Sequence, residues 1–212
     1  MFSIHCFVYP VLYLLFQQQI FAAIWPTQLS SNIKILGLFP DAENTSDPTD
    51  LSVHSRALFK SAILLSQRYN LTVDGQFIEY ISSQTDSNII NALEDSCEAV
   101  SNTNIIGIVG PAFSREAHVI GEFAQRIQIP VISYAATDSD LSNKVAYPTF
   151  YRTVPSDNSA ALAIVNLFNR FNWASCIVIY QNDVYGSNGA KIINEALTSN
   201  GLTVLETLLY DM

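Results

Sequence analysis

A chain of 212 residues with 49% apolar side chains can bury a sizeable core, in one large domain or two small ones. Its formal net charge of −9 excludes the basic face that would hold nucleic acid or an anionic membrane surface. With 14% charged residues it is no disordered acidic tail either.

Residues 1–23 contain no Asp, Glu, Lys or Arg, and Phe7 to Phe16 is almost wholly apolar before Gln17, Gln18 and Gln19. The small pair Ala22-Ala23 follows, so the stretch reads as a secretory signal peptide, although the usual basic start is missing. A retained membrane anchor is the alternative, but Pro10 and the glutamines leave fewer than the roughly 20 continuous apolar residues a span wants.

Ile33 to Phe39 is the first predicted strand, ended by Pro40. The acidic loop 41–50 carries the acceptor pattern Asn44-Thr45-Ser46, and Asn70-Leu71-Thr72 is a second; each suits an N-glycan in a secreted chain. Asp41, Glu43, Asp47 and Asp50 lack metal-loop spacing, so solvated surface is expected there and no metal. Leu51 to Tyr69 is predicted helical, with Leu58, Ala62, Leu65 and Tyr69 turned to a sheet. Phe77 to Ile81 follows as a strand. Thr85-Asp86 then caps a helix to about Ser101, whose apolar face is Ile89, Leu93, Cys97 and Val100. With Cys176 inside a later strand, the expectation is two buried free thiols.

The stretch Ile105 to Thr137 reads strand, tight turn, helix, strand, polar loop. Ile105, Ile106, Ile108 and Val109 stop at Gly110-Pro111, and Ser114 stands where an N-cap would. Ala117, Ile120, Ala124 and Ile127 recur at helical spacing, and Val131 to Tyr134 is the next strand. One helix between two strands makes them parallel, so Ser114 and the loop Ala135-Ala136-Thr137 leave the sheet on one side. In open parallel sheets ligands sit beyond that carboxyl edge, and a helix N-terminus with a hydroxyl suits a carboxylate.

Tyr147 to Pro155, with two prolines and several aromatic or β-branched residues, suits a semi-rigid extended hinge. Asp157 is expected to cap a helix that buries Ala161, Leu162, Val165 and Phe168. Ser175 to Tyr180 begins a second sheet, Asp183 to Gly186 is its loop, and Ser187 to Ser199 is helical up to Asn200-Gly201. Leu202 to Leu209 is a last strand. The alternation of strands and helices gives an α/β sandwich with no dinucleotide fingerprint and no phosphate loop, so no cofactor is expected. His5, His54 and His118 are scattered, and G-P-A-F-S is not the G-x-S-x-G elbow, which leaves no enzyme site.

G-P-A-F-S, I-P-V-I-S-Y-A-A-T, D-L-S-N-K, Y-P-T-F-Y-R-T-V-P-S-D and N-D-V-Y-G-S-N-G, in that order, resemble the type I periplasmic-binding-protein fold used by cell-surface receptors. The likeness is nearest to the Venus-flytrap domain of class C G-protein-coupled receptors, of the metabotropic glutamate type, and runs over roughly Ile33 to Leu209. It implies a bilobal three-layer α/β/α fold with parallel sheets, lobe 1 at residues 32–152 and an incomplete lobe 2 at 153–212, and a chain that is a fragment, a truncated gene product or a short isoform. The parent would be membrane-embedded at the cell surface, dimeric through lobe 1 and coupled to a G protein by a region outside this chain. The resemblance implies a small ligand, an amino acid, with Ser114 and Thr137 on its α-carboxylate and α-amino groups and Asp157 and Tyr185 on its ammonium. Ala135 stands where many relatives have a serine. Ser55 stands where glutamate-binding relatives have an arginine, with Arg56 beside it, so no large preference for glutamate is expected. Read singly, Ser114 and Asp157 are also plain N-caps, Thr137 a turn residue and Tyr185 a packed aromatic. An exported amino-acid solute-binding protein, or a natriuretic-peptide or ionotropic-glutamate type of receptor ectodomain, fits the same fold.

Overall fold

A computed structural model describes residues 32–41 and 49–211; the proposed signal peptide and Asn44 lie outside them. The elements run β1 (Ile33–Phe39), α1 (Asp50–Arg68), β2 (Thr72–Val73), β3 (Gln76–Gln84), α2 (Ile89–Asn102), β4 (Asn104–Val109), α3 (Ser114–Ile127), β5 (Val131–Ser133), a 3₁₀ turn (Ser139–Ser142), β6 (Phe150–Arg152), α4 (Asp157–Phe171), β7 (Ser175–Gln181), α5 (Val184–Ser199) and β8 (Thr203–Tyr210). Six strands form one sheet in the order β2-β3-β1-β4-β5-β6, parallel throughout except for the short β2 hairpin, and β7 and β8 form a second, parallel pair. This is the α/β architecture expected of a type I periplasmic-binding-protein-like chain.

The central strand shows why the layers form. Side chains alternate across a strand, so Leu36 and Leu38 point to one face while Ile35 and Phe39 point to the other. Leu36 and Leu38 join Ala92 and Ala99 of α2, Ile105 and Ile108 of β4, and Ala117, Ile120 and Ala124 of α3 in one core. Phe39 joins Phe59 and Ile63 of α1 in the other, with Ile35, Ile78 and Tyr134 packed against it. Each fully buried Leu, Ile or Phe there contributes about 1.5–3 kcal/mol. Gly110 follows β4 at φ 101°, and a Cβ on it would meet the Leu38 carbonyl oxygen at 2.4 Å, so the turn into α3 admits glycine alone.

Several expected faces are one residue out of phase. On α1 the buried side chains are Ser52, Arg56, Phe59 and Ile63, while Leu58, Leu65 and Tyr69 are exposed. Phe59 and Ile63 pack on the sheet against Phe39 and leave a leucine-rich stripe outside. On α2 the small residues Ala92, Ser96 and Ala99 are buried because they allow α2 to lie against α3, and Cys97 is exposed rather than buried. Cys176 is half-buried in β7, and both cysteines are free. The cap of α2 is Asn88, whose side chain accepts from the Ile90 amide at 2.8 Å; Asp86 and Ser87 take positive φ in the turn before it. Pro148-Thr149 is turn rather than extended chain, and only Phe150–Arg152 pairs with β5. In α4, Ala161 and Val165 are buried but Leu162 is exposed. No helix among the described residues is long and apolar enough to cross a membrane.

Candidate functional site

The carboxyl ends of β4 and β5 and the start of α5 surround a cavity of about 500 Å³, within the range of small-molecule sites. Its lining includes Ser114, Ala135 and Thr137 from the first sheet's edge and Gln181, Asp183 and Tyr185 from the second. Asp157 lines an adjoining cavity of about 300 Å³, which shares Gln181 and Tyr185 with the first. Four of the five expected site residues thus face one space, and the fifth stands next door.

None of the anticipated capping roles is what holds these side chains. The N-cap of α3 is Phe113, without a side-chain cap bond, and Ser114 is the first helical residue. Buried Ser114 accepts at Oγ from the Asp138 amide at 3.3 Å, and that bond leaves the hydroxyl its own proton to give. The amides of Glu116 and Ala117 return to the Phe113 carbonyl; those of Ser114 and Arg115 lie ahead of the helix ladder, pointing where an anion would be welcome. The N-cap of α4 is Ser156, whose Oγ accepts from Asn158 at 3.2 Å. Asp157 gives its backbone amide to the Thr137 carbonyl at 2.9 Å, and its Oδ2 is buried with no hydrogen-bond partner. Asp183 caps α5 through the Gly186 amide at 2.7 Å, so Tyr185 sits on the helix's first turn rather than in a loop, about half exposed. A Cβ on Gly186 would lie 2.2 Å from the Gln181 carbonyl oxygen; the helix start fits tightly against the end of β7.

Beneath the cavity a buried polar knot joins the two sheets. Asp138, wholly buried, accepts from His118 Nε2 at 2.8 Å and from Asn188 Nδ2 of α5 at 3.0 Å, and its Oδ1 accepts from the Asp140 amide at 3.0 Å. The other ring nitrogen of His118 meets the Tyr147 hydroxyl at 2.8 Å. Burial pushes the Asp138 carboxyl up, but the bonds from His118, Asn188 and Asp140 outweigh it and hold the group below the ordinary carboxylate value. Arg152 donates to the carbonyls of Ala136 and Asp138 and to the Ser142 hydroxyl, fixing the loop that carries Thr137. His118, set aside in sequence as an isolated histidine, is thus structural here.

Arg56 is no cleft residue: it is buried, donates to the Asp41 carbonyl and to Ser82 Oγ, and lies over the Phe39 ring. Arg115, which the sequence reading passed over, lines the cavity with Phe113. Its place directly after Ser114 at a helix start was the available signal. Next along, Glu116 is fully buried; the Thr85 hydroxyl and the Phe113 amide lie near its carboxylate, but outside the geometry of full hydrogen bonds. Burial raises its carboxyl above the ordinary value, more than Thr85, Arg115 and the Phe113 amide lower it. Among the described residues no group of three His, Cys, Asp or Glu side chains is placed to hold a metal ion.

Residues 67–211, more than half of the chain, match the family described as receptor family ligand binding region. Among curated proteins, Glutamate receptor 3.7 of Arabidopsis thaliana is 36% identical over 93 residues, 44% of this chain and 10% of the relative. Taste receptor type 1 member 3 of Rattus norvegicus is 32% identical over 100 residues, 47% of the chain and 12% of the relative. The same receptor of Canis lupus familiaris is 26% identical over 152 residues, 68% of the chain and 18% of the relative. The matched part of the chain therefore spans only a tenth to a fifth of the length of these relatives.

Proposed function

Because the chain belongs to the receptor family ligand binding region, we propose that it holds a free α-amino acid between two lobes, residues 32–152 and 153–212, and that the parent receptor signals by closing them. The observation that carries this reading is the cavity of about 500 Å³ lined at once by Ser114, Ala135 and Thr137 of the first sheet and Tyr185 of the second. The ligand's α-carboxylate lies at the start of α3, against the Ser114 hydroxyl and the free amides of Ser114 and Arg115. Its ammonium faces the Thr137 hydroxyl and the Tyr185 ring, with the unpaired Asp157 Oδ2 as the opposing charge. Ala135 adds wall without a polar side chain, which leaves the floor to backbone groups. In this reading the site is a binding site.

The parent, in this reading, is a cell-surface receptor of class C with its ligand-binding region outside the cell, acting on a G protein through a region beyond this chain. Dimerisation through the first lobe is supported by the exposed stripe Leu58, Leu65 and Tyr69 of α1. An N-glycan on Asn70 is supported by its exposed place in the turn after α1. The match to a plant protein named a glutamate receptor favours a second reading of the parent, as a glutamate-type receptor, with the same site and ligand class. The test is titration of the secreted chain, followed by amide NMR, with a panel of L-amino acids. Saturable shifts at the start of α3 and at Thr137 are expected. A panel that moves no resonance near the cavity would overturn the reading.

A further inference from the structure

We infer that Glu116 couples ligand binding to proton uptake: a carboxylate at the start of α3 binds best when Glu116 is protonated, and Glu116 tunes that helix start as a positioning residue. The inference rests on the amino-acid reading of the site. Ser114 and Arg115, the two residues before Glu116, line the cavity. Glu116 itself is wholly buried, and none of its carboxylate oxygens nor the hydroxyl of nearby Thr85 finds a partner in the geometry of a full hydrogen bond.

Position in the helix makes the two charges rivals. The N-cap Phe113 brings no side-chain bond to the helix start. Glu116 is the third helical residue, the place from which a glutamate reaches back towards the N-cap amide. Burial raises its carboxyl above the ordinary 4.5, while Thr85, Arg115 and the Phe113 amide favour the ionised form. An ionised Glu116 therefore draws on the same positive helix end that a ligand carboxylate would occupy. Two carboxylates at one such place repel, and because Glu116 is buried the repulsion is weakly screened. A proton on Glu116 removes the conflict, and the protonated carboxyl can donate to the Thr85 hydroxyl oxygen. The Thr85 amide bond to the Phe39 carbonyl, at 2.8 Å, fixes that residue against the end of β1.

The charged and titratable groups around Glu116 come from several elements. On α3 they are Arg115 and His118, the latter tied to Asp138. The turn before α2 adds Asp86, and α2 itself turns the neutral Ala92, Ser96 and Ala99 inward. Tyr134 follows β5, and burial raises its phenol so that it stays neutral. Asp183 faces the helix start from across the cavity. A ligand carboxylate raises the Glu116 carboxyl further. Affinity is thus greatest below the Glu116 value of the free chain and falls as pH rises through that of the complex.

The experiment titrates the chain and its Glu116→Gln variant with L-alanine and L-glutamine by calorimetry, from pH 4.5 to about pH 8, in buffers of different ionisation enthalpy. Both ligands keep their charges over that range. The parent chain should bind each about tenfold tighter at the acid end, the scale of one pKa unit, with heats that depend on the buffer because a proton is taken up. Glu116→Gln, neutral at every pH, should bind at the alkaline end about as tightly as the parent does at the acid end, with no pH trend and no buffer dependence. A role confined to folding would produce neither change. Parent affinities that agree within about twofold across the range would overturn the inference and leave the amino-acid reading intact. The same trend in Glu116→Gln would also overturn it, by placing the proton on another group such as His118. Should the variant not fold, the pH profile and buffer-dependent heats of the parent decide alone. Binding of neither ligand at any pH would overturn the inference, and the wider panel above then decides the amino-acid reading separately.

Discussion

The two sheets carry opposite halves of the candidate site on very different foundations. In the six-stranded sheet, Leu36, Leu38, Phe39, Ile108 and Val131 are at most 1% exposed, with helices against both faces. In the two-stranded sheet, α4 and α5 pack on each other and α5 covers one face, while Ile177, Ile179, Leu205 and Leu209 are half or more exposed. Ser114 and Thr137 therefore stand on a close-packed platform. Tyr185 stands on a sheet whose position depends on few apolar contacts and on the Asn188 bond to Asp138. The wall that carries Ser114 and Thr137 is thus close-packed on both faces of its sheet, and the wall that carries Tyr185 is covered on one.

The largest effect that would sharpen this contrast is Leu36→Ala, which should cost about 2–5 kcal/mol in urea unfolding. A cost below about 1 kcal/mol would mean that the first core can collapse around the gap, and the two sheets would then be less unlike than their burial suggests.

Asp138→Ala comes next, at about 1–3 kcal/mol, because it strands the donors of His118, Asn188 and Asp140 in a buried place. Its pH dependence has a definite sign. A carboxyl held below its ordinary value of 3.8 adds stability that is fully present above that value and is lost as pH falls through the lower folded value. The variant should lose stability at pH 7 and show less of the further loss below pH 4 that this group gives the parent. An unchanged acid limb would separate Asp138 from the stability of the knot.

Glu116→Gln should act in the opposite direction, with a gain on the order of 1 kcal/mol at pH 7, because it keeps the shape of the side chain and removes the charge that burial disfavours. A carboxyl raised above 4.5 favours folding when protonated, so its contribution is greatest below that pH and falls as pH rises through the folded value. The gain should vanish near pH 4, and a gain of equal size at both pH values would show that charge is not its cause.

The smallest effect is the complement of the first. Ile179→Thr, on the exposed face of β7, should change stability by less than about 0.5 kcal/mol while raising solubility. A loss near that of Leu36→Ala would show that this face is covered in solution.

Most of the longer strands were legible in the sequence because buried parallel strands are short, apolar and bounded by turn residues, but the order in which they pair was not. Ile33–Phe39 came out with its observed limits, and Gly110-Pro111 and Gly201 marked real turns. Helix faces were less legible. On α1 apolar residues occur on more than one side, and what chooses Phe59 and Ile63 over Leu58 and Leu65 is the aromatic packing of Phe39, which only the assembled sheet reveals. Cap positions slipped by one: at α4 the consecutive polar residues Ser156 and Asp157 offer two starts and the backbone takes the first, while α3 begins after Phe113, which caps it without any side-chain bond. That slip matters for the site. It frees the Ser114 hydroxyl proton and the Asp157 carboxylate from capping, which no reading of spacing alone could have settled. The Asp138 knot was invisible for a plainer reason: its members come from α3, the loop after β5 and α5, brought together by topology alone.

The place of β1 at the middle of the large sheet has a consequence for how the chain is assembled. Ile33 pairs with Ile78 on one side and with Asn104 on the other, and the Tyr134 hydroxyl reaches Leu38 across 96 residues of sequence. A strand laid down early in synthesis must therefore wait, unpaired on both edges, until partners tens of residues later have emerged. Long-range pairing of this kind gives a high contact order and slow folding. The pairs β4 with β5, β5 with β6 and β7 with β8 each close over a shorter stretch than either pairing of β1. Pulse-labelled hydrogen exchange during refolding would then show the β1 amides gaining protection after those of the short-range pairs.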